Sequence, residues 1–181
     1  WLMTLLWGLR LCLYLARRNL GHGEDYRYVA MRKRWGSAFP LISFLTVYTL
    51  QGTLMWVVSL SIQLSHRAEG SIGVLAVIGV VLWAVGLYFE VVGDIQLSRF
   101  KADSANQGKV LDTGLWRYTR HPNYFGDACV WWGIAIVACS VSVGVWGLIG
   151  AAVMNVLLLK VSGVALLERS LVRRKPEYQA Y

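Results

Sequence analysis

Charge is scarce in this 181-residue chain: 15% of its residues are Asp, Glu, Lys or Arg, against about a quarter in a soluble domain. That shortage excludes an ordinary cytosolic globular protein, and with 56% hydrophobic residues it also excludes disorder. Three cysteines, Cys12, Cys129 and Cys139, all lie in apolar runs, which leaves neither a disulfide framework nor a spaced zinc site. His22 and His66 lack neighbours at ligand spacing, and His-Glu-x-x-His and Cys-x-x-Cys are absent, so no metal is expected. Gly-x-Gly-x-x-Gly and Walker signatures are missing too, so a nucleotide cofactor, if bound, is held by neither a Rossmann fold nor a P-loop. No cleavable signal peptide, internal repeat or low-complexity tract is visible in residues 1–181. The chain opens at Trp1 inside an apolar run and stops at Tyr181, from which pieces are expected to be missing at both ends.

Long apolar runs are what the chain has instead, with a mean hydropathy of +0.48. Residues 38–64 carry no formal charge and as a helix would be roughly 40 Å long, enough to span a bilayer with tilt. Pro40 suits its first turn. Residues 71–98 form a second candidate, interrupted near its end by Glu90 and Asp94. Between Asp127 and Lys160 lie 32 uncharged residues, too many for one upright helix, and Ser140, Ser142 and Gly144 mark a turn that splits them into helices over about 123–139 and 145–167. Residues 1–17 complete the set. The expected fold is all-α: a single polytopic transmembrane bundle over 1–181, with five spans.

Fifteen of the 18 basic residues fall in three regions that an alternating topology puts on one side. The first connection holds Arg17, Arg18, Arg27, Arg32, Lys33 and Arg34; the third holds Arg99, Lys101, Lys109, Arg117 and Arg120; the tail holds Arg169, Arg173, Arg174 and Lys175. The positive-inside rule makes that side cytoplasmic. Orientation and attraction to anionic lipid are a sufficient account of the net charge of +8 by itself, without nucleic acid.

Three clusters on that side contain more than positive charge. In the stretch from Gly114 to Asp127, Pro122 fits the first turn of a helix whose exposed N–H groups, with Arg120 and His121, make an anion site. Asn123 and Asp127 follow on one face with Tyr124 between them. A cap with interfacial aromatics explains Pro122, Trp116 and Tyr118, but not Asp127, since a carboxylate at membrane depth costs about 2.5–3.5 kcal/mol unless paired or solvated. In the second cluster Glu90 and Asp94 share a helical stripe near Ser98 and Lys101. Pairing with nearby arginines and acceptance of ribose hydroxyls or a carboxamide are equally open there, with Lys101 and Lys109 near phosphates. In the third, Tyr14 lies within one turn of Arg10, Arg17 and Arg18, which suits either an interfacial anchor or a phenol whose proton is made easier to donate. Glu24, Asp25 and Arg27 follow, a group that can simply knit the basic loop together.

At these residues the chain resembles a known group. Arg120-His-Pro-Asn-Tyr-Phe-Gly-Asp127, preceded by Gly93-Asp-Ile-Gln-Leu-Ser-Arg-Phe-Lys101, is similar to the bacterial members of the steroid 5-alpha-reductase family, related to sterol C14-reductases. The likeness extends to Gly23-Glu-Asp-Tyr-Arg-Tyr28 and to the closing 168–178 segment; isoprenylcysteine methyltransferases share the Arg-His-Pro-x-Tyr element. The resemblance implies a seven-helix membrane enzyme that binds NADPH from the cytosolic side of a bacterial inner membrane. Such an enzyme reduces a carbon–carbon double bond of a lipophilic, steroid-like enone. It implies that Tyr14, in Tyr14-Leu-Ala-Arg17, is the acid facing the substrate carbonyl, with a glutamate partner from an earlier helix, and that Asp127 polarises the substrate. It places Asp94, Lys101, Lys109 and Asn123 at cofactor contacts, with Arg120, His121, Tyr124 and Arg169 as additions and Asp25 and Arg27 as looser ones. The alternatives are an S-adenosylmethionine-dependent methyltransferase of a prenylated or lipid substrate, and a non-catalytic scaffold on the same fold.

Overall fold

Uninterrupted apolar sequence with few helix breakers folds locally into helix, because a backbone facing lipid must satisfy its own hydrogen bonds. The structure, a computed structural model, describes residues 1–21, 23–66, 73–161, 163–174 and 178, without the side chains at 169, 170, 173 and 174. Every regular element among them is helical: α1 (Leu2–Asn19), α2 (Tyr26–Trp35), α3 (Phe39–Ser43), α4 (Leu50–Val58), α5 (Leu60–Ser65), α6 (Val74–Ala102), α7 (Pro122–Ala138), α8 (Gly147–Val156) and α9 (Val164–Arg174), joined in places by short 3₁₀ and π segments. The chain divides into two units, Trp1–Ser59 and Leu60–Tyr181.

Among the described residues, three helical runs are long and apolar enough to cross a membrane: Tyr26–Ser65, Val74–Ala102 and Ser142–Glu168. The expected count of five needs two more, α1 at 18 residues and α7 at 17. In the first unit, α2 begins inside what the sequence suggested was a connection. Asp25 caps it by accepting from the Arg27 backbone N–H at 2.9 Å, so Arg32, Lys33 and Arg34 project from a helix rather than a loop. The helical run continues through a π segment at Phe44–Thr49, where the Thr49 hydroxyl donates to the Phe44 carbonyl at 2.9 Å.

In the second unit α7 is the central helix, packed most extensively on α6 and also on α5 and α8. The turn expected around Ser140–Gly144 is there: α7 ends at Ala138, a 3₁₀ turn covers Ser142–Trp146, and α8 starts at Gly147. Across the α5/α8 contact the fully buried Ser61 hydroxyl donates to the Gly147 carbonyl at 2.7 Å. The two faces of α6 invert the pattern of a soluble helix. Val74, Leu75, Val77, Ile78, Val81, Val85 and Tyr88 point outward, while Gly79, Trp83, Gly86, Glu90, Gly93 and Asp94 are buried. Apolar side chains outside and carboxylates inside suit lipid as the surrounding medium.

Candidate functional site

The site grows out of how closely α6 and α7 approach. Glycines recur every seven residues on both helices, and they face each other: Gly79 meets Gly133, and Gly86 meets Gly126. A β-carbon added at Gly86 would lie 2.5 Å from the Gly126 carbonyl oxygen, and one at Gly133 would lie 2.6 Å from that of Gly79. The backbones therefore touch directly, the arrangement small residues permit in membranes, where apolar side chains gain little from leaving lipid. Phe89 and Phe125 add an edge-to-face contact at 4.8 Å.

One step further along the same stripe the pattern changes, and polar groups take the place of the second glycine. Gly93 faces Asn123. Glu90 (3% exposed) and Asp94 (7% exposed) are carried into the interface by the same helical face, and the γ-carbon of Glu90 lies against Gly126. Two buried carboxylates four residues apart repel one another. Part of the compensation comes from the Asn123 side-chain amide, whose Nδ2 donates to Asp94 Oδ1. Asp127, half-buried, follows Asn123 by one turn on α7.

The approach to α7 is fixed to α6 by backbone and side-chain bonds. The Leu115 N–H donates to Gln96 Oε1 at 3.0 Å, and the Trp116 indole N–H donates to the Gly93 carbonyl at 3.4 Å. Gly114, at φ +62°, lies flat against the Gln96 amide, where an added β-carbon would sit 2.4 Å from Nε2. Pro122 then occupies the first turn of α7, as expected.

Arg120 and His121 both turn to the carboxylate of Glu168 on α9. His121 Nε2 lies 3.0 Å from Glu168 Oε1, and Arg120 Nη1 lies 3.7 Å from the same oxygen. The Arg120 guanidinium also stands 5.5 Å from the ring centre of Tyr178, which is buried, and the His121 and Tyr124 rings lie 5.5 Å apart. The two side chains that the sequence offered for a phosphate thus already share a carboxylate. Lys101 is exposed at the end of α6, beside an open depression of about 440 Å³ lined also by Phe100, Asp103, Ser104 and Asn106; Lys109 is exposed beyond it. The Arg169 side chain, like His22, lies outside the described residues.

Tyr14, Asp25 and Arg27 belong to the first unit. The guanidinium carbons of Arg10 and Arg18 lie 5.7 and 5.8 Å from the Tyr14 ring centre, so both cations stand over the ring. Asp25 and Arg27 pair with each other at 2.8 Å. The Arg27 side-chain hydrogen bond, followed by the backbone cap, lowers the Asp25 carboxyl from 3.8 to about 2. Among the described residues no group of three or more His, Cys, Asp or Glu is placed to hold a metal.

The family model described as "Protein of unknown function (DUF1295)" matches residues 1–181. The chain belongs to the DUF1295 family. It is also similar to "Steroid 5-alpha-reductase DET2" of Arabidopsis thaliana, with 37% identity over 65 residues. That stretch covers 35% of this chain, and spans about a quarter (24%) of the relative's length. The resemblance read from the sequence motifs therefore has a counterpart in a named steroid 5-alpha-reductase. No solved structure matches.

Several residues that build the site in this DUF1295 member were not picked out from its sequence. The glycines at 79, 86 and 93 and at 126 and 133 were legible as a seven-residue spacing, which is the signal for a close helix pair. Gln96 carries no such signal, because its partner, the Leu115 backbone, lies 19 residues away in the 3₁₀ turn Gly114–Arg117.

Proposed function

We propose that this protein is a nicotinamide-dependent membrane reductase, using NADPH to reduce a carbon–carbon double bond conjugated to the carbonyl of a lipophilic, steroid-like substrate. The observation that carries this reading is the buried Glu90/Asp94 stripe with Asn123 bonded to Asp94, adjoining the Arg120–His121 start of α7. Buried carboxylates accept from ribose hydroxyls, while arginine, histidine and a helix start favour phosphate, so this donor set fits a dinucleotide. NADPH, when bound, supplies a hydride equivalent for the carbon β to the carbonyl. In this reading Asp94, Asn123 and Tyr124 hold the dinucleotide, and Arg120, His121, Lys101, Lys109 and Arg169 neutralise its phosphates. Asp25 and Arg27 are assigned to the cofactor as looser matches.

Reduction of an enone places negative charge on its oxygen, so the chain must provide a proton donor there. We assign that role to Tyr14, whose phenol is flanked by two arginine cations, and a polarising role to Asp127. Five spans with the basic segments on the cytoplasmic side of a bacterial inner membrane complete the reading. The partial likeness to a steroid 5-alpha-reductase supports an oxidoreductase over the methyltransferase alternative.

Thermal denaturation of the intact protein in detergent tests the proposal. NADPH at 100 times its Kd is expected to stabilise the fold by about 2.7 kcal/mol and so raise Tm, with no effect from S-adenosylmethionine. Stabilisation by S-adenosylmethionine alone would replace the reductase with a methyltransferase, and a response to neither would leave a scaffold.

A further inference from the structure

We propose that Gly93 is a positioning residue that sets which way round the Asn123 amide is held at the candidate cofactor site. The proposal rests on the reading above, in which Asn123 contacts the dinucleotide. Gly93 is buried on the α6 stripe, and a β-carbon built on it would lie 2.1 Å from Asn123 Oδ1 and 3.3 Å from Asn123 Cγ. The carbonyl end of the amide therefore rests on the bare α-carbon of Gly93. Oδ1 is buried there, with no hydrogen-bond partner among the described residues. A Cα–H···O contact of the kind seen between close-packed helices is what remains to it.

The other end of the amide is fixed by charge. Nδ2 donates to Asp94 Oδ1, and turning the amide over would set its oxygen against that carboxylate. With the carbonyl covered by Gly93 and one N–H given to Asp94, a single Asn123 N–H is left for a ligand. Asn123 thus serves as a donor and Asp94 as its acceptor neighbour, and the absence of a side chain at Gly93 makes that arrangement possible. Gly93 is itself held in place, because its carbonyl accepts the Trp116 indole N–H from the segment leading into α7.

The test is a double-mutant cycle on the intact protein in detergent, with Gly93→Ala, Asn123→Ala and the double variant. Two quantities are measured: Tm without ligand and Kd for NADPH. Gly93→Ala alone is expected to lower Tm and weaken NADPH binding about tenfold, as loss of a placed hydrogen bond does. In the Asn123→Ala background the same change should be silent in Kd and neutral or favourable in Tm. The next atom the new β-carbon meets is Pro122 Cγ at 3.5 Å, an ordinary contact, and alanine is the better helix former. Equal Tm losses in both backgrounds would overturn the proposal and make Gly93 a general packing residue, as would an unchanged Kd in a folded Gly93→Ala protein that still binds NADPH. If Gly93→Ala does not fold, recovery of the fold in the double variant supports the coupling and its failure overturns it. If wild type binds no NADPH, the cofactor reading falls, while the ligand-free Tm cycle still decides whether Gly93 acts through Asn123.

Discussion

Replacing Gly86 by alanine should destabilise this protein, although the same substitution at a helical glycine with open space around it, such as Gly8, should not. At Gly86 the new β-carbon would fall 2.5 Å from the Gly126 carbonyl oxygen and 2.7 Å from the Val130 nitrogen. The first of these is about 0.9 Å short of the 3.4 Å at which ordinary contact begins. Both obstacles are backbone atoms of α7, so relief requires the helices to part, opening the contacts at Gly79/Gly133 and Gly93/Asn123 as well. Overpacking costs about 1–3 kcal/mol, and a rigid obstacle argues for the upper end; the better helix propensity of alanine returns about 1 kcal/mol. The net loss is about 2 kcal/mol, or a Tm lowered by about 4–8 °C for a chain of this size. Gly8 on α1 is the control, since an added β-carbon there meets nothing within 4 Å. Gly8→Ala should leave Tm unchanged or raise it by about 2–4 °C. Differential scanning fluorimetry in one detergent reads both variants. A Gly86→Ala protein as stable as Gly8→Ala would refute direct backbone contact between α6 and α7.

Three further outcomes are expected. Tyr14→Phe should cut turnover by about 10²–10⁴-fold while keeping the NADPH-induced rise in Tm; an active variant would remove Tyr14 from the acid role. Glu168→Ala separates Arg120 and His121 from their shared carboxylate. The exposed Arg120 pair adds no more than about 1 kcal/mol, but the His121 side chain is 11% exposed and loses the partner of its ring nitrogen, which brings the expected loss to about 1–3 kcal/mol. An unchanged Tm would show that Glu168 holds neither residue. The Asp25 carboxyl is lowered from 3.8 to about 2, so its contribution is complete above pH 3.8 and disappears as pH falls through about 2. A carbon-detected NMR titration should give a midpoint near 2 in the intact protein and nearer 3.8 in Arg27→Ala, and a midpoint near 3.8 in both would refute the pairing.

How much of this was legible beforehand follows from which interactions are local. Helix positions, the turn at Ser140–Gly144 and Pro122 in the first turn of α7 all depend on hydropathy and backbone rules acting over a few residues, and they could be read directly. So could the shared stripe of Glu90 and Asp94, because helical periodicity alone sets it. The start of α2 reads as a basic connection in sequence because its charged residues mask a helix set by the Asp25 cap.

By itself the sequence determined a helical chain with apolar surfaces, one acidic stripe and a basic bias, since composition and period are properties of single segments. Only the tertiary structure decided what the acidic stripe meets. Asp94 finds Asn123 across 29 residues, and His121 finds Glu168 across 47. A period tells which residues share a face, but not which face of another helix it will touch. Here that choice falls to the glycines, whose missing side chains let two backbones close to contact and bring Asn123 onto Gly93 and its amide onto Asp94.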